Sequence, residues 1–477
     1  MIIGAGIAGV AAAAALAARG MREIVLLDSG PPLALTSDKS SECYRNFWPG
    51  PDGAMVDLMN RSINLVEQIA DATPDGLGMN RRGYLYLTRD PARVDALRAA
   101  AIESCGLGAG ELREYDGRDG GDGRDGGDGG GRDMRDGDGG GRDMRDGDGR
   151  SMLRPYVPVA AHGYHGQPDG ADLITDPVLL RAHFGYLGEV AAVLHARRCG
   201  WLSAQQLGMA LLEQARAAGA RLLHARVTGV DIVDGAVAAV RLQGADAPAR
   251  VITGCVVNAA GPHLRAVGRM LGAELPVHSE LHLKLAFEDT LRAVPRVAPM
   301  VICADPMQPW DAEERALLAE EGAHLADLLP AGAHLRPEGG GSSQWVLALW
   351  AYHNKPVPEV FPYPLDPIFA ETAMRGAAAL VPALVPYVAR APRPVIDGGY
   401  YTRTAENRPL IGPAGVRGAW VIGALSGFGI MAAPGAAEVL AAQVCGAACP
   451  AYTAAFLPSR YADAGYLERF VGVDGQL

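Results

Sequence analysis

Cysteine is sparse in this chain of 477 residues, and the seven present follow no pattern. Cys43, Cys105, Cys199, Cys255, Cys303, Cys445 and Cys449 contain no C-x-x-C pair, which excludes a zinc framework, and an odd, scattered set excludes a small disulfide scaffold. A reducing compartment fits such usage. Only Cys445 and Cys449 fall one helical turn apart. Excess positive charge is lacking as well. With 43 Lys and Arg against 54 Asp and Glu the net charge is −11, so no basic face is on offer to nucleic acid or an anionic membrane. No signal peptide is expected in the stretch ahead of the first motif. Only Met1, Ile2 and Ile3 precede Gly4, fewer than the roughly five residues of an ordinary strand, so a start upstream of Met1, carrying any targeting segment, stays open. The length suits two or three domains of about 150 residues, two being the expected number, and the charge suits a small-molecule ligand.

What the chain does have is "IIGAGIAG", with Gly4, Gly6 and Gly9 in the G-x-G-x-x-G spacing. That spacing is weak alone and gains weight from its surroundings. Ala11 to Arg19 is alanine-rich and helix-favouring, Gly20 can end that helix in a left-handed cap, and Glu23 to Leu27 reads as a second strand ending at Asp28. Gly4 permits a tight turn, Gly6 puts no Cβ between backbone and a phosphate, and Gly9 lets helix and strand pack closely. The helix start then faces a pyrophosphate with its positive dipole end, while Asp28 can accept from ribose hydroxyls and would repel a 2′-phosphate.

The polar run "TSDKSSECYRNFWPG" comes next, with a helix expected from about Asp52 to Ile69. Its hydroxyls and backbone N–H groups suit further contacts to an extended ligand. Asp116 to Arg150 is almost all Gly, Asp and Arg and holds "GGGRDMRDGD" twice; no apolar face can form, so a disordered insertion is expected. Met134 and Met144 are too few to build a calcium-binding Gly/Asp β-helix. Beyond it come a helix at about Ser203–Ala218, strands near Leu222–Val227, Gly229–Val233 and Val237–Leu242, and a buried strand Cys255–Ala259 suited to rejoin the first sheet. "ELHLKLAFE" alternates with strand period, and "QWVLALWAYHN" reads as a second strand carrying Trp345, Trp350, Tyr352 and His353. A helical, acidic stretch near Asp311–Leu329 separates them. Antiparallel strands with aromatic side chains can roof a flat cofactor.

Near the end, Trp420–Ala424 reads as a strand, and Gly427-Phe428-Gly429 opens a helix at about Met431. Internal glycines, Pro434 and the strand-like start make Gly418–Val444 a buried strand-turn-helix in place of a membrane span. NAD needs no second glycine-rich helix start. Reduced flavin does develop negative charge around N1 and the C2 carbonyl, which a helix N-terminus and the N–H groups of Gly427 to Ile430 would stabilise, so FAD is favoured over NAD.

Together, "IIGAGIAG" with Asp28, "TSDKSSECYR", "VVNAAGP", "YYTRTAENRPLIGP" and "GALSGFG" resemble the FAD-dependent oxidoreductases of the D-amino-acid oxidase, glycine oxidase and sarcosine oxidase group, over most of the chain outside the insertion. The resemblance implies an α/β fold: a glutathione-reductase-like FAD-binding Rossmann domain and a second, α+β substrate domain built on an antiparallel sheet. It implies FAD-binding segments at 1–90, 176–275 and 396–477, and substrate-domain segments at 91–175, containing the insertion 116–150, and at 276–395. It also implies oxidation of the C–N bond of a small amine or amino acid, with hydride passing to flavin N5, and either O₂ or an electron-acceptor protein as oxidant.

The FAD contacts expected are Gly4, Gly6, Ile7, Ala8 and Gly9; Asp28 and Ser29; Thr36, Ser37, Lys39, Ser40 and Arg45; Val227, Ala259, Ala260 and Gly261; and Arg408, Gly423, Ser426, Gly427, Phe428, Gly429 and Ile430. The substrate pocket is expected to draw on Tyr401, Arg403, Trp350, Tyr352 and His282, with no metal. Three departures from the family pattern stand out. Gly399 occupies the place of a flavin-tethering Cys, so FAD is expected to be non-covalent. Tyr401 stands where a carboxylate-binding Arg sits, leaving Arg403 or Arg45 to substitute. The oxygen-activating Lys of the sarcosine oxidases corresponds to an apolar position near Leu349, which weakens the case for O₂. Two alternatives remain: an FAD-binding assembly factor with no turnover, and an NAD-dependent dehydrogenase.

Overall fold

The computed structural model describes residues 1–117, 155–159, 163–321 and 323–470. The Gly/Asp/Arg run at 116–150 falls, from residue 118 onward, outside the described residues.

One sheet has six strands in the order Leu410–Pro413, Ala419–Gly423, Val256–Asn258, Ile2–Ile3, Val25–Asp28 and Arg221–His224. All neighbours run parallel except the outermost Leu410–Pro413. The near-continuous apolar runs of the inner strands are what a sheet covered on both faces requires. Val256–Asn258 lies beside Ile2–Ile3, pairing Val257 with Ile2, as the sequence suggests.

Helix Ile7–Ala18 packs on this sheet. Its alanines lose no side-chain entropy in a helix, and their small size admits Ala204–Ala217 and Gly429–Val444 to close contact, leaving Ala11, Ala12 and Ala13 buried. The helix begins at Ile7 instead of Ala11, because the last residues of the glycine loop already take helical geometry; Gly20, at φ +85°, stops the chain behind it. From Ser426 the helix ending at Val444 is long and apolar enough to cross a membrane by composition, yet it is mostly buried, against Ile7–Ala18 and Ala54–Ala72. Arg61 clamps Glu438 through bonds of 2.7 and 2.6 Å, and Gly435 N–H donates to Ser62 Oγ at 2.9 Å.

A second sheet has nine strands, in the order Val395–Arg403, His278–Glu288, Trp345–Leu349, His334–Pro337, Met300–Cys303, Tyr84–Thr88, Ala192–Ala196, Ala171–Ile174 and Leu112–Tyr115. It is mainly antiparallel, with two parallel pairings. Tyr84–Thr88 and Ala192–Ala196, inside spans expected to fold with the nucleotide sheet, pair here. A run of five buried residues reads alike in either sheet, and only its partners distinguish the two. The strand expected over Gln344–Asn354 stops at Leu349. Between the strands, the helical stretch is realised as Ala312–Glu321 and Ala323–Ala326.

Strand His278–Glu288 lies second from one edge of this sheet. It pairs with Val395–Arg403 on one side and Trp345–Leu349 on the other. Leu285 and Phe287 are fully buried in a core shared with helix Phe369–Leu380. Strand alternation then turns His278, Glu280 and His282 to the opposite face.

The loop after Arg403 is locked from below. The Glu406 carboxylate, fully buried, accepts from Arg460 Nη2 at 2.6 Å and Tyr461 hydroxyl at 2.7 Å, tying the final segment to the loop that carries Asn407. Replacing Glu406 by Gln leaves the Arg460 charge buried without its counter-ion, and E406Q is expected to lose about 3–5 kcal/mol of stability, read as a lowered denaturant midpoint at unchanged slope.

Candidate functional site

Two adjoining cavities lie where the sheets meet. The narrower is a groove lined by Gly6, Ile7 and Ala8 at the first helix start, by Thr36, Ser37 and Ser40, by Ala259 and Gly261, and by Gly423, Ser426, Gly427, Gly429 and Ile430 at the second helix start. The glycine-rich turns from opposite ends of the chain therefore meet along one groove. Pro262, Tyr400 and Thr402, not foreseen from sequence, complete its wall.

Close backbone contact builds this groove. A Cβ on Gly4 would sit 2.3 Å from Ala259 O, and one on Gly9 would sit 1.9 Å from Gly4 O, so neither position admits another residue. Ile7 N–H donates to Ser37 Oγ at 2.9 Å. Asp28 accepts from Ala5 N–H at 2.8 Å and Gly30 N–H at 2.9 Å, so its carboxylate braces the phosphate-facing loop. Thr36 hydroxyl donates to Tyr400 O at 2.9 Å, fixing the polar run beneath the roof strand. The Ser426 hydroxyl is buried in the groove with no partner among the described residues. A buried, unpaired hydroxyl between two helix N-termini fits a polar, anionic ligand such as the pyrophosphate and flavin of FAD.

Several expected FAD contacts stand elsewhere. Ser29 is exposed beside Asp28. Lys39 pairs with Asp38 at 2.9 Å and Asp397 at 3.1 Å. Val227 lies on the strand Arg226–Val233, and Ala260 packs against Gly4; neither lines the groove or the cavity beside it. Arg408, read as an anchor for its loop or for FAD, holds the loop: its guanidinium pairs with Asp52 at 2.7 Å over the Phe470 ring, and it lines neither cavity. Arg45 and Phe428 line the wider cavity, not the groove.

That wider cavity, of about 610 Å³, adjoins the groove at Gly427. Its floor is a relay of side chains: Phe428 meets Trp48 edge-on at 5.2 Å, and the Arg45 guanidinium lies 4.2 Å above Trp48 and donates to Tyr86 hydroxyl at 2.8 Å. Its roof comes from His278–Glu288 and Val395–Arg403, whose register sets Glu280 opposite Tyr401 and His278 opposite Arg403. The Tyr401 ring is gripped on two sides. It stacks on His282 at 4.2 Å and 13°, and a Cβ on Gly427 would press into it at 2.5 Å. Burial pushes the Tyr401 phenol far up, so it stays neutral.

Glu280 is the focus of the roof. Its Oε1 faces His278 Nε2 at 3.3 Å, and its Oε2 faces His282 Nε2 at 3.1 Å and Arg403 Nη1 at 3.4 Å. Burial opposes its ionisation, but the hydrogen bond from His282 and the charge of Arg403 outweigh it and draw the carboxyl down to about 2. His334, across the cavity, binds Gly332 O through Nδ1 at 2.8 Å, and burial holds its pKa below the usual range.

Tyr401, Arg403 and His282 thus gather as expected, whereas Trp350 and Tyr352 do not. Leu349 and Ala351 face the cavity, so their neighbours of opposite parity turn into the core, where Trp350 donates to Pro330 O at 2.9 Å and Tyr352 to Asp366 at 2.8 Å. Sequence reasoning missed Glu280, His278, His334 and Asn407. The alternation in "HSELH", with three ionisable side chains on one face of a strand, was a readable signal for the first two.

Two glycine-lined helix starts sharing one groove, with a charged cavity under a sheet at its end, define a dinucleotide-dependent oxidoreductase of the flavoprotein class. The family model for FAD-dependent oxidoreductases, DAO, matches residues 1–443, and the chain belongs to that family and binds FAD. No curated protein matches the sequence. Among solved structures it is similar to L-proline dehydrogenase from P. horikoshii (TM-score 0.68, 18% identity, 97% of each chain covered). It is also similar to glycine oxidase from Geobacillus kaustophilus (0.66, 17%, 96% of this chain and 97% of that one) and iminodiacetate oxidase from Chelativorans sp. BNC1 (0.65, 15%, 96% and 98%). At such identity the likeness shows the fold.

The geometry makes two predictions. Gly427→Ala drives a methyl into Tyr401 at the junction of the cavities, and the purified variant is expected to carry less FAD per chain, measured from flavin absorbance. The lowered pKa of Glu280 stabilises the folded state fully above about 4.5, its ordinary value, and that contribution is lost as pH falls toward about 2. The melting-temperature gap between wild type and E280Q should narrow as pH falls below about 4.5.

Proposed function

We propose that this protein oxidises the C–N bond of a small amine or amino acid, with FAD held non-covalently. The observation that carries this reading is the 610 Å³ cavity, sized for a small molecule, that meets the FAD groove at Gly427 and presents Arg45, Arg403, Glu280 and His282 to it. Bound FAD supplies a two-electron acceptor for hydride from the substrate carbon. The protein's part is to hold that carbon against the flavin, keep the nitrogen unprotonated and exclude water.

Arg45 is the carboxylate anchor on the cavity floor. Its guanidinium, lying over Trp48 and donating to the Tyr86 hydroxyl, lines the side of the cavity away from the Glu280 carboxylate. Gly399 offers no nucleophile for a covalent tether to flavin. Apolar Leu349 lines the cavity where a cation would assist O₂, which favours a different electron acceptor. The names of the structural neighbours, a proline dehydrogenase, a glycine oxidase and an iminodiacetate oxidase, agree in substrate class.

An anaerobic screen of amines and amino acids tests this directly. The right compound should bleach the flavin absorbance, and artificial acceptors should restore it faster than O₂; no bleaching across a broad panel would sink the proposal. With the substrate found, Arg45→Met should weaken its binding on the order of 10- to 100-fold, the worth of one charge-assisted hydrogen bond, with a smaller loss for an analogue lacking the carboxylate.

A further inference from the structure

We propose that His282, oriented by Glu280, is the base that removes the ammonium proton of the substrate before oxidation, an inference that rests on the amine reading above. Small amines enter mostly as ammonium ions, and an ammonium nitrogen has no lone pair with which to expel hydride from the neighbouring carbon. Some group in the cavity must take that proton.

The geometry selects His282. Glu280 cannot serve, because its two oxygens accept from His278, His282 and Arg403 and it remains ionised without a further proton. His278 lies farther out, about 29% exposed, opposite Arg403. His334, on the strand His334–Pro337, has no carboxylate partner among the described residues to stabilise a charge, and its Nδ1 is bound to Gly332 O. His282 differs on each count. Its Nε2 bonds Glu280 Oε2 at 3.1 Å, which leaves Nδ1 as the ring nitrogen with no hydrogen bond among the described residues. Its ring lies flat on Tyr401, the residue that touches Gly427 where the cavity meets the FAD groove. A base on the cavity wall, held by a carboxylate through one ring nitrogen with the other free of hydrogen bonds among the described residues, is the arrangement general-base catalysis requires.

The step balances without an oxidant. An N–H bond of the ammonium breaks, its electron pair stays on the amine nitrogen, and a new N–H bond forms at Nδ1. The imidazolium charge then faces the Glu280 carboxylate. The proton passes on to solvent after turnover. Glu280 is here a positioning residue and His282 a catalytic one.

The test uses FAD-loaded protein and 2-methylalanine, an amino acid with no hydrogen on its α-carbon and so no route to oxidation there. Binding is followed by the perturbed flavin spectrum across pH. With wild type it should weaken in acid, where an ordinary imidazole is already protonated and cannot take the ammonium proton; H282Q should lose that acid limb. E280Q should shift the limb to lower pH, and it carries the test if H282Q does not retain FAD. In the second arm, the amine found by the bleaching screen should reduce H282Q about 100-fold more slowly near pH 7, with the deficit shrinking as pH rises and the free amine supplies itself already neutral. An acid limb unchanged in H282Q, or a deficit uniform across pH, overturns the role of His282 while leaving the amine reading intact. Failure of both 2-methylalanine to bind and every amine to bleach wild type removes the substrate class, and this inference with it.

Discussion

The close packing of two small-residue helices is the constraint on which the site depends. Helix Ile7–Ala18 lies against Gly429–Val444, and Ala11, Ala12, Ala432 and Ala433 are buried where they pack. Larger side chains would hold the helices apart, and their N-termini would no longer open onto one groove. Each N-terminus carries roughly half a positive charge, and the effect fades within one turn. Two such ends act together on one ligand only when packing sets them this near. The same requirement explains why Gly9 sits hard against Gly4 O: the helix start must touch the strand it extends from.

The second requirement is a roof that is rigid yet charged. Glu280 is buried on a strand whose other face carries Leu285 and Phe287 in a full core. A lone buried carboxylate would take up a proton. Two imidazoles and a guanidinium, all within 3.4 Å, keep it ionised instead. All three bond to the one carboxylate, so their charges are coupled through Glu280. Tyr401 transmits that order to the FAD groove, because its ring is caught between His282 and Gly427.

Much of this architecture is legible in the amino-acid sequence, and the reason is local. The loop at Gly4–Gly9, the turn at Gly427 and the buried strand Val256–Asn258 each announce themselves within a few residues, since steric demands on glycine and runs of Val and Ile are local properties. The failures share the opposite character. Trp350 and Tyr352 suggest a pocket because they are aromatic and adjacent to a strand, but the strand's parity, set by its partner His278–Glu288, turns them into the core. Tyr84–Thr88 lies within the expected FAD-binding span 1–90 yet pairs in the nine-stranded sheet, because five buried residues do not name their neighbours. Arg408 cannot be separated from a cofactor contact until Asp52, 356 positions away, stands beside it. Glu280 escapes notice because a carboxylate in an alternating strand is ordinarily a solvated one.

The cavity's charge, taken as a whole, fits the ligand it is proposed to hold better than any single residue does. Arg45, Arg93, Arg403 and Glu280 line it and leave it positive, with Arg403 against Glu280 on the roof, Arg93 paired with Asp305 at 3.3 Å, and Arg45 on the floor over Trp48. An amino acid brings the complementary pattern: a carboxylate that seeks the floor and a cationic nitrogen that the roof can relieve of its proton. Reversing the orientation would press a carboxylate against Glu280 and set a cation against Arg45, two unfavourable contacts in a low-dielectric cavity where each is costly. The separation of the two charges, more than their number, therefore orients the substrate, and it directs the nitrogen toward Tyr401 and Gly427, where the cavity meets the flavin's groove.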